Sequence, residues 1–258
     1  MNVYKVSCGF VAADRFAGAA KKMYEEDILT IDAPHYFLYQ HYPINKEENK
    51  KQLQDICNKY GIIWIDSGYD RGLHNGFNHL VSVIDPKDED VLLGIDPDDI
   101  VLTRGWDKAI VDVVSSQNSV TMACLDNYFA LNHSPGCVFE DAVIAGYRVK
   151  IPTNRPTMMN ASGFTARWFK QMGGFNEPTT HYGHVESHIW QQLIKHFKRY
   201  AILLDYKLEN RPGQLPEQNP LYTQYKQAQA SFQSRESFEE WLIKKGLGHL
   251  INGSKLST

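Results

Sequence analysis

Asp96 and Asp98 flank a proline in the run Asp90-Val91-Leu92-Leu93-Gly94-Ile95-Asp96-Pro97-Asp98-Asp99, and their type and spacing suggest chemistry. The proline keeps the backbone extended, so both carboxylates can reach one hard cation. Mg2+ or Mn2+ prefers such oxygens and keeps positions open for phosphate. The same spacing suits an acidic turn whose aspartate caps a helix starting near Trp106, and spacing alone supports both readings. Upstream, Asp70-Arg71-Gly72-Leu73-His74-Asn75-Gly76-Phe77-Asn78 is a polar, glycine-punctuated helix start. It can present backbone N–H groups and side-chain donors to a diphosphate or ribose, or be a capped loop with Arg71 in a surface ion pair. Gly9 lies where a strand hands over to a loop, a place for a nucleotide to approach the backbone or for a plain turn. Glu186 falls in the first turn of a helix, where the positive end of the macrodipole favours a carboxylate; this suits a general base and equally an ordinary helix-start glutamate. His184 and His188 stand i, i+4 close to His181, without the rest of a metalloprotease motif. Contact with phosphate or an acceptor remains for either one, beside a plain surface role.

The elements that must position these residues alternate. Short β-branched or aromatic runs predict strands at residues 3–11, 36–42, 62–65, 91–95, 120–125, 147–151 and 201–208. Helical periodicity fills most of the intervals, at 14–26, 46–60, a segment ending near 84, 106–115 and 185–197. Such alternation predicts an α/β, Rossmann-like fold: a mostly parallel sheet with helices on both faces. It also puts residues 96–99 at the carboxyl end of a central strand, where open α/β sheets bind ligands. Residues 152–160 read as a polar loop able to face an acceptor. Two further helices, near 222–232 and 237–245, divide the chain into a body at 1–208 and a C-terminal helical extension at 209–258.

Composition narrows the class. A chain of 258 residues with 43% hydrophobic side chains can bury one ordinary core, and a formal net charge of -3 gives no overall basic footprint for a dedicated nucleic-acid binder. Cys8, Cys57, Cys124 and Cys137 are widely spaced, which predicts buried thiols rather than a zinc ribbon or disulfide framework. No apolar run approaches the roughly 18 residues of a membrane span, and the first residues lack a signal-peptide pattern, so the expectation is a soluble, cytoplasmic chain.

Three blocks together resemble the nucleotide-sugar glycosyltransferases of the A-type fold, within them the large inverting family 2 that includes rhamnosyltransferases. Asp70-Arg71-Gly72 followed by Gly76-Phe77-Asn78 is similar to the family's Asn-x-Gly and Gly-x-Asn helix start, with Asp for the usual Asn. Ile95-Asp96-Pro97-Asp98-Asp99 and then Gly105-Trp106 resemble its D-x-D turn and Gly-Trp helix start. Gly173-Gly174-Phe175-Asn176-Glu177 leading to Tyr182-Gly183 is similar to its Gly-Gly-Phe-Asp-Glu segment. The resemblance implies that Asp96 and Asp98 hold Mn2+ or Mg2+ against the donor diphosphate. It implies that Gly9, Asp70, Arg71, Gly72, Asn75, Asn78 and Asp96 line the donor, and that Gly163, His184 and His188 meet the acceptor. Glu186 falls on the catalytic acid that accepts the acceptor's proton, although Val185-Glu186 replaces the usual Glu-Asp pair. Asn210 is the nearest candidate for the histidine that completes the metal shell in relatives. The implied donor is a nucleotide-diphosphate sugar, UDP- or dTDP-linked, and the acceptor a glycan or other hydroxyl compound. Three rivals stay open: a retaining transferase on the same fold, an inert sugar-nucleotide-binding module suggested by the changes at Asp70 and Val185, and a transferase modifying nucleic acid gripped through Lys244-Lys245.

Overall fold

The computed structural model describes residues 1–8, 11–41, 47–68, 72–116, 119–126, 131, 136–157, 159–175, 185–209 and 243–244. The elements are β1 (Val3–Cys8), α1 (Ala13–Glu25), β2 (His35–Tyr39), α2 (Glu47–Tyr60), β3 (Ile63–Asp66), α3 (Gly72–Ile84), β4 (Val91–Gly94), α4 (Trp106–Ser116), β5 (Val120–Asp126), β6 (Phe139–Ile144), β7 (Tyr147–Pro152), β8 (Ser162–Thr165), α5 (Ala166–Gln171), α6 (Val185–Lys195) and β9 (Arg199–Lys207). The nine strands form one sheet in the order β3-β2-β1-β4-β8-β5-β9-β7-β6.

Strands β1 to β4 pair with one another in parallel, as the alternation predicts. The chain steps outward from β1 to β2 to β3, then returns past them to lay β4 on the other side of β1. Right-handed crossovers require that reversal to move the helix to the opposite face. The packing shows it: Phe16 of α1 and Leu53 and Cys57 of α2 pack with Phe37 and Tyr39, whereas Phe77, Leu80 and Val81 of α3 pack with Val6, Cys8 and Leu38. β4 feeds both cores by alternation, with Leu92 facing α3 and Val91 and Leu93 facing α4.

The other half corrects the expected mostly parallel sheet to a mixed one. β8 inserts antiparallel between β4 and β5, β7 is antiparallel to both β6 and β9, and only β5–β9 is parallel. β8 is a four-residue Ser-Gly-Phe-Thr strand with a glycine inside it, which carries almost no strand signal. β6 and β7 close through Ala145 and Gly146, both at positive φ (51° and 88°), the two-residue hairpin geometry that usually announces itself as Asn-Gly. α1 also starts differently: Ala12 is its N-cap, Asp14 lies in the first turn, and the Ala13 N–H is capped by Asn49 Oδ1 of α2 at 2.9 Å.

No described helix is long and apolar enough to cross a membrane. The helices expected at 222–232 and 237–245 lie outside the described residues, apart from the exposed Ile243 and Lys244.

Candidate functional site

The reversal of strand order falls between β1 and β4, and a crevice forms where loops leave the carboxyl ends of two such strands in opposite directions. Ile95 N–H still donates to Val6 O (2.9 Å), so the sheet ends immediately before Asp96. The next residues fold back on themselves. Asp99 N–H donates to Asp96 O at 2.9 Å, and Asp96 N–H to Asp99 Oδ2 at 3.3 Å. Asp96 is exposed, Asp98 and Asp99 half-buried.

The three carboxylates feel one another. Burial of its carboxyl, then the negative charges of Asp96 and Asp98, hold Asp99 well above the usual carboxylate range, against the Asp96 N–H and the Asn160 side chain, which favour the charged form. Asp98 Oδ2 lies 3.6 Å from Arg15 Nη1 of α1. A negative surplus in one turn, with Asp96 exposed and the Asp98 side chain 42% exposed, fits a hard cation. Among the described residues no group of three or more His, Cys, Asp or Glu side chains is arranged to hold a metal by itself. The fit is therefore to an open site, in which Asp96 and Asp98 would share the ion with phosphate oxygens.

Antiparallel β8 brings a further segment to this edge, since Gly94 pairs with Ser162 and the chain before Ser162 runs on past the end of β4. Ala161 there is buried at φ 41°, left-handed backbone that a non-glycine residue adopts at a cost, and it precedes the strand that brings Asn160 to Asp99. Asn160 and Arg15 are the site residues that sequence reasoning missed, while Asp99 was quoted in the acidic run without a role of its own. Arg15 left a signal, as a cation in a helix's first turn where acids are favoured.

Beneath the turn, Ser7 Oγ and Tyr24 Oη hold the two ring nitrogens of His35 at 2.8 and 2.7 Å. Ser7, Tyr24 and His35 line a cavity of about 10 Å3 together with Asp96, Pro97 and Asp99. Full burial, then the charge of Lys5, pushes His35 down to about 3, so the ring is neutral.

α3 reaches the same edge by close approach. A Cβ on Gly76 would lie 2.6 Å from both Cys8 Sγ and Gln40 Nε2, so glycine lets the first turns of α3 sit directly on the ends of β1 and β2. Gly72 opens this helix and Asn75 is half-buried at the end of its first turn.

Asn78 is placed otherwise than expected. Its Oδ1 accepts from Phe175 N–H at 2.9 Å and its Nδ2 donates to Phe175 O at 2.8 Å, so both ends of the amide tie α3 to the Gly-Gly-Phe segment instead of facing a donor. Gly163 is likewise a packing position. It is buried mid-sheet between Leu93 and Ala123, and a Cβ there would lie 2.4 Å from Ile110 Cγ2, which leaves no surface for an acceptor. His188 is half-buried, hydrogen-bonded to the Gly174 backbone, and lowered by burial; its Nε2 has no partner among the described residues. The backbone of α6 begins at Val185 and puts Glu186 in its first turn, as the periodicity predicts. Gly9, Asp70, Arg71, His181, His184, Asn210 and Lys245 lie outside the described residues.

No protein-family profile matches the chain, and no curated protein sequence does. Solved structures do match in three dimensions. A mannosyltransferase from Pyrobaculum calidifontis, solved with GDP-Man and Mn2+, superposes over 96% of this chain with a TM-score of 0.57 at 11% identity. The likeness is one of fold. The same GT-A fold is found in GalNAc-T7, solved with UDP, GalNAc and Mn2+ (81% of this chain, TM-score 0.54, 11% identity), and in residues 1–349 of S. aureus TarS (80%, 0.51, 12%). The chain spans 69%, 43% and 60% of those three proteins' chains. These GT-A neighbours are glycosyltransferases that use sugar nucleotides, and two were solved with Mn2+.

Proposed function

We propose that this chain is a metal-dependent glycosyltransferase that moves a sugar from a nucleotide-diphosphate sugar, UDP- or dTDP-linked, to an acceptor hydroxyl with inversion at the anomeric carbon. The observation that carries the reading is the Asp96–Asp98–Asp99 turn, crowded with negative charge and set at the switch point between β1 and β4. A divalent cation held by Asp96 and Asp98 supplies, when bound, positive charge to the departing diphosphate. The chain's own residues do the rest. The start of α3, with Gly72 and Asn75, offers helix N-terminal N–H groups on the side from which phosphate enters. Glu186 takes the proton of the acceptor hydroxyl as its oxygen attacks the anomeric carbon from the face opposite the diphosphate; the sugar–phosphate bond breaks and its electron pair leaves with the diphosphate. Attack on that face gives inversion. His188 follows two residues further along α6, where it can orient the acceptor-side backbone through Gly174.

Glu186→Gln is the test. Transfer is expected to fall by about 10²–10⁴-fold while donor binding persists, and normal turnover in that variant removes the base assignment. The anomeric configuration of the product, read by NMR, separates inversion from retention.

A further inference from the structure

Among the described residues, Arg15 brings a cation to the carboxylate turn. Arg15 lies in the first turn of α1, where the helix macrodipole disfavours positive charge, and its side chain is only 21% exposed. Asp98 is the carboxylate against it among the described residues. At 3.6 Å the contact is an ion pair outside hydrogen-bond distance, so the guanidinium's N–H donors are not committed to it. Asp98 is at the same time one of the two carboxylates that the proposed function gives to the metal.

We propose that Arg15 is a donor-positioning residue that couples the metal to the diphosphate: it neutralises Asp98 before the donor arrives, yields Asp98 to the divalent cation, and then donates to the incoming diphosphate. This rests on the glycosyltransferase reading of the turn. Two requirements follow from charge. Metal alone must compete with an arginine for Asp98, which weakens its binding; metal with diphosphate must gain from the same arginine, because a planar guanidinium matches phosphate oxygens. The coupling makes the site favour the metal–diphosphate pair over either alone.

The probes are Mn2+ alone, followed by the electron paramagnetic resonance of the free ion, and Mn2+ with inorganic pyrophosphate, followed by calorimetry, on the full chain. Arg15→Gln is expected to bind Mn2+ about two- to fivefold more tightly, the range of a partly exposed ion pair, and Mn2+–pyrophosphate about tenfold or more weakly. Arg15→Lys, which keeps the charge and loses the planar fork, is expected to restore the metal affinity and to recover pyrophosphate binding only in part. Asp98→Asn separates the role of Arg15 from that of the metal. Loss of Mn2+ binding in Asp98→Asn with both affinities unchanged in Arg15→Gln, or both lowered, overturns the role of Arg15 and leaves the metal reading standing. Unaltered Mn2+ binding in Asp98→Asn, or none in the wild-type chain, overturns the metal reading and this proposal with it.

Discussion

His35 shows how one residue can set the response of the whole chain to acid. Full burial and the neighbouring Lys5 push it down to about 3, while in the unfolded chain it returns to an ordinary histidine value of about 6.5. Between those values the unfolded chain binds a proton that the folded chain refuses. Its contribution to stability is complete above pH 6.5 and drains away as the pH falls towards 3, by roughly 1.4 kcal/mol per pH unit at most. Urea midpoints at pH 7, 6 and 5 are expected to fall more steeply for the wild-type chain than for His35→Gln; parallel decline would show that His35 is not the group responsible. Asp66 acts lower on the scale. Burial alone raises it, but Lys50, the Gly68 N–H and His41 together bring it to about 2, so its contribution holds above the ordinary carboxylate range and is lost only as the pH falls towards 2. At this scale the aspartate turn was legible because Asp-Pro-Asp after an apolar run is a local pattern. The double hydrogen bond of Asn78 to Phe175, 97 residues away, leaves no local pattern to read, and the misplaced charge of Arg15 does not say which carboxylate it meets.

Elements carry the next set of consequences. Asn78 joins α3 to the Gly-Gly-Phe segment after α5, and the Gly174 backbone of that segment in turn holds His188 of α6. Asn78→Ala leaves the Phe175 N–H and C=O without their partner, a loss of about 1–3 kcal/mol. Transfer is expected to suffer more than donor binding, because Glu186 is on the element released; Asn78→Asp, which keeps an acceptor for the N–H, should recover part of the stability. Equal loss of donor binding and transfer would return Asn78 to the donor side. Gly163 is expected to behave as a packing residue. Gly163→Ala sets a methyl 2.4 Å from Ile110 and 2.8 Å from Leu93, an overpacking that costs about 1–3 kcal/mol. Thermal denaturation should register it as a lowered midpoint with the acceptor KM unchanged. Most helices and the long strands could be read from periodicity. α1, for instance, buries Ala13, Phe16, Ala19, Ala20 and Met23 on one stripe. β8 and β6 could not, since one is four residues with an internal glycine and the other an edge strand carrying Glu140 and Asp141 and turning through Ala145-Gly146.

For the whole molecule, the donor should act as a folding ligand. A sugar nucleotide that binds only the folded chain stabilises it by about 2.7 kcal/mol at a hundredfold excess over its Kd. In a thermal-shift screen of UDP-, dTDP- and GDP-sugars, the cognate donor is expected to raise the midpoint by several degrees with Mn2+ and by less without it. Equal shifts with and without metal would count against a cation at Asp96 and Asp98. What the sequence by itself determined was the α/β alternation, the four leading strands and the acid-rich end of β4, because each is written in the hydrophobic period and turn chemistry of adjacent residues. What only the tertiary structure decided was the mixed order of the remaining strands, the clasp between Asn78 and Phe175, and the meeting of Arg15 and Asn160 with the acidic turn. Those depend on pairings between distant segments, selected by which faces can be buried together rather than by any local preference.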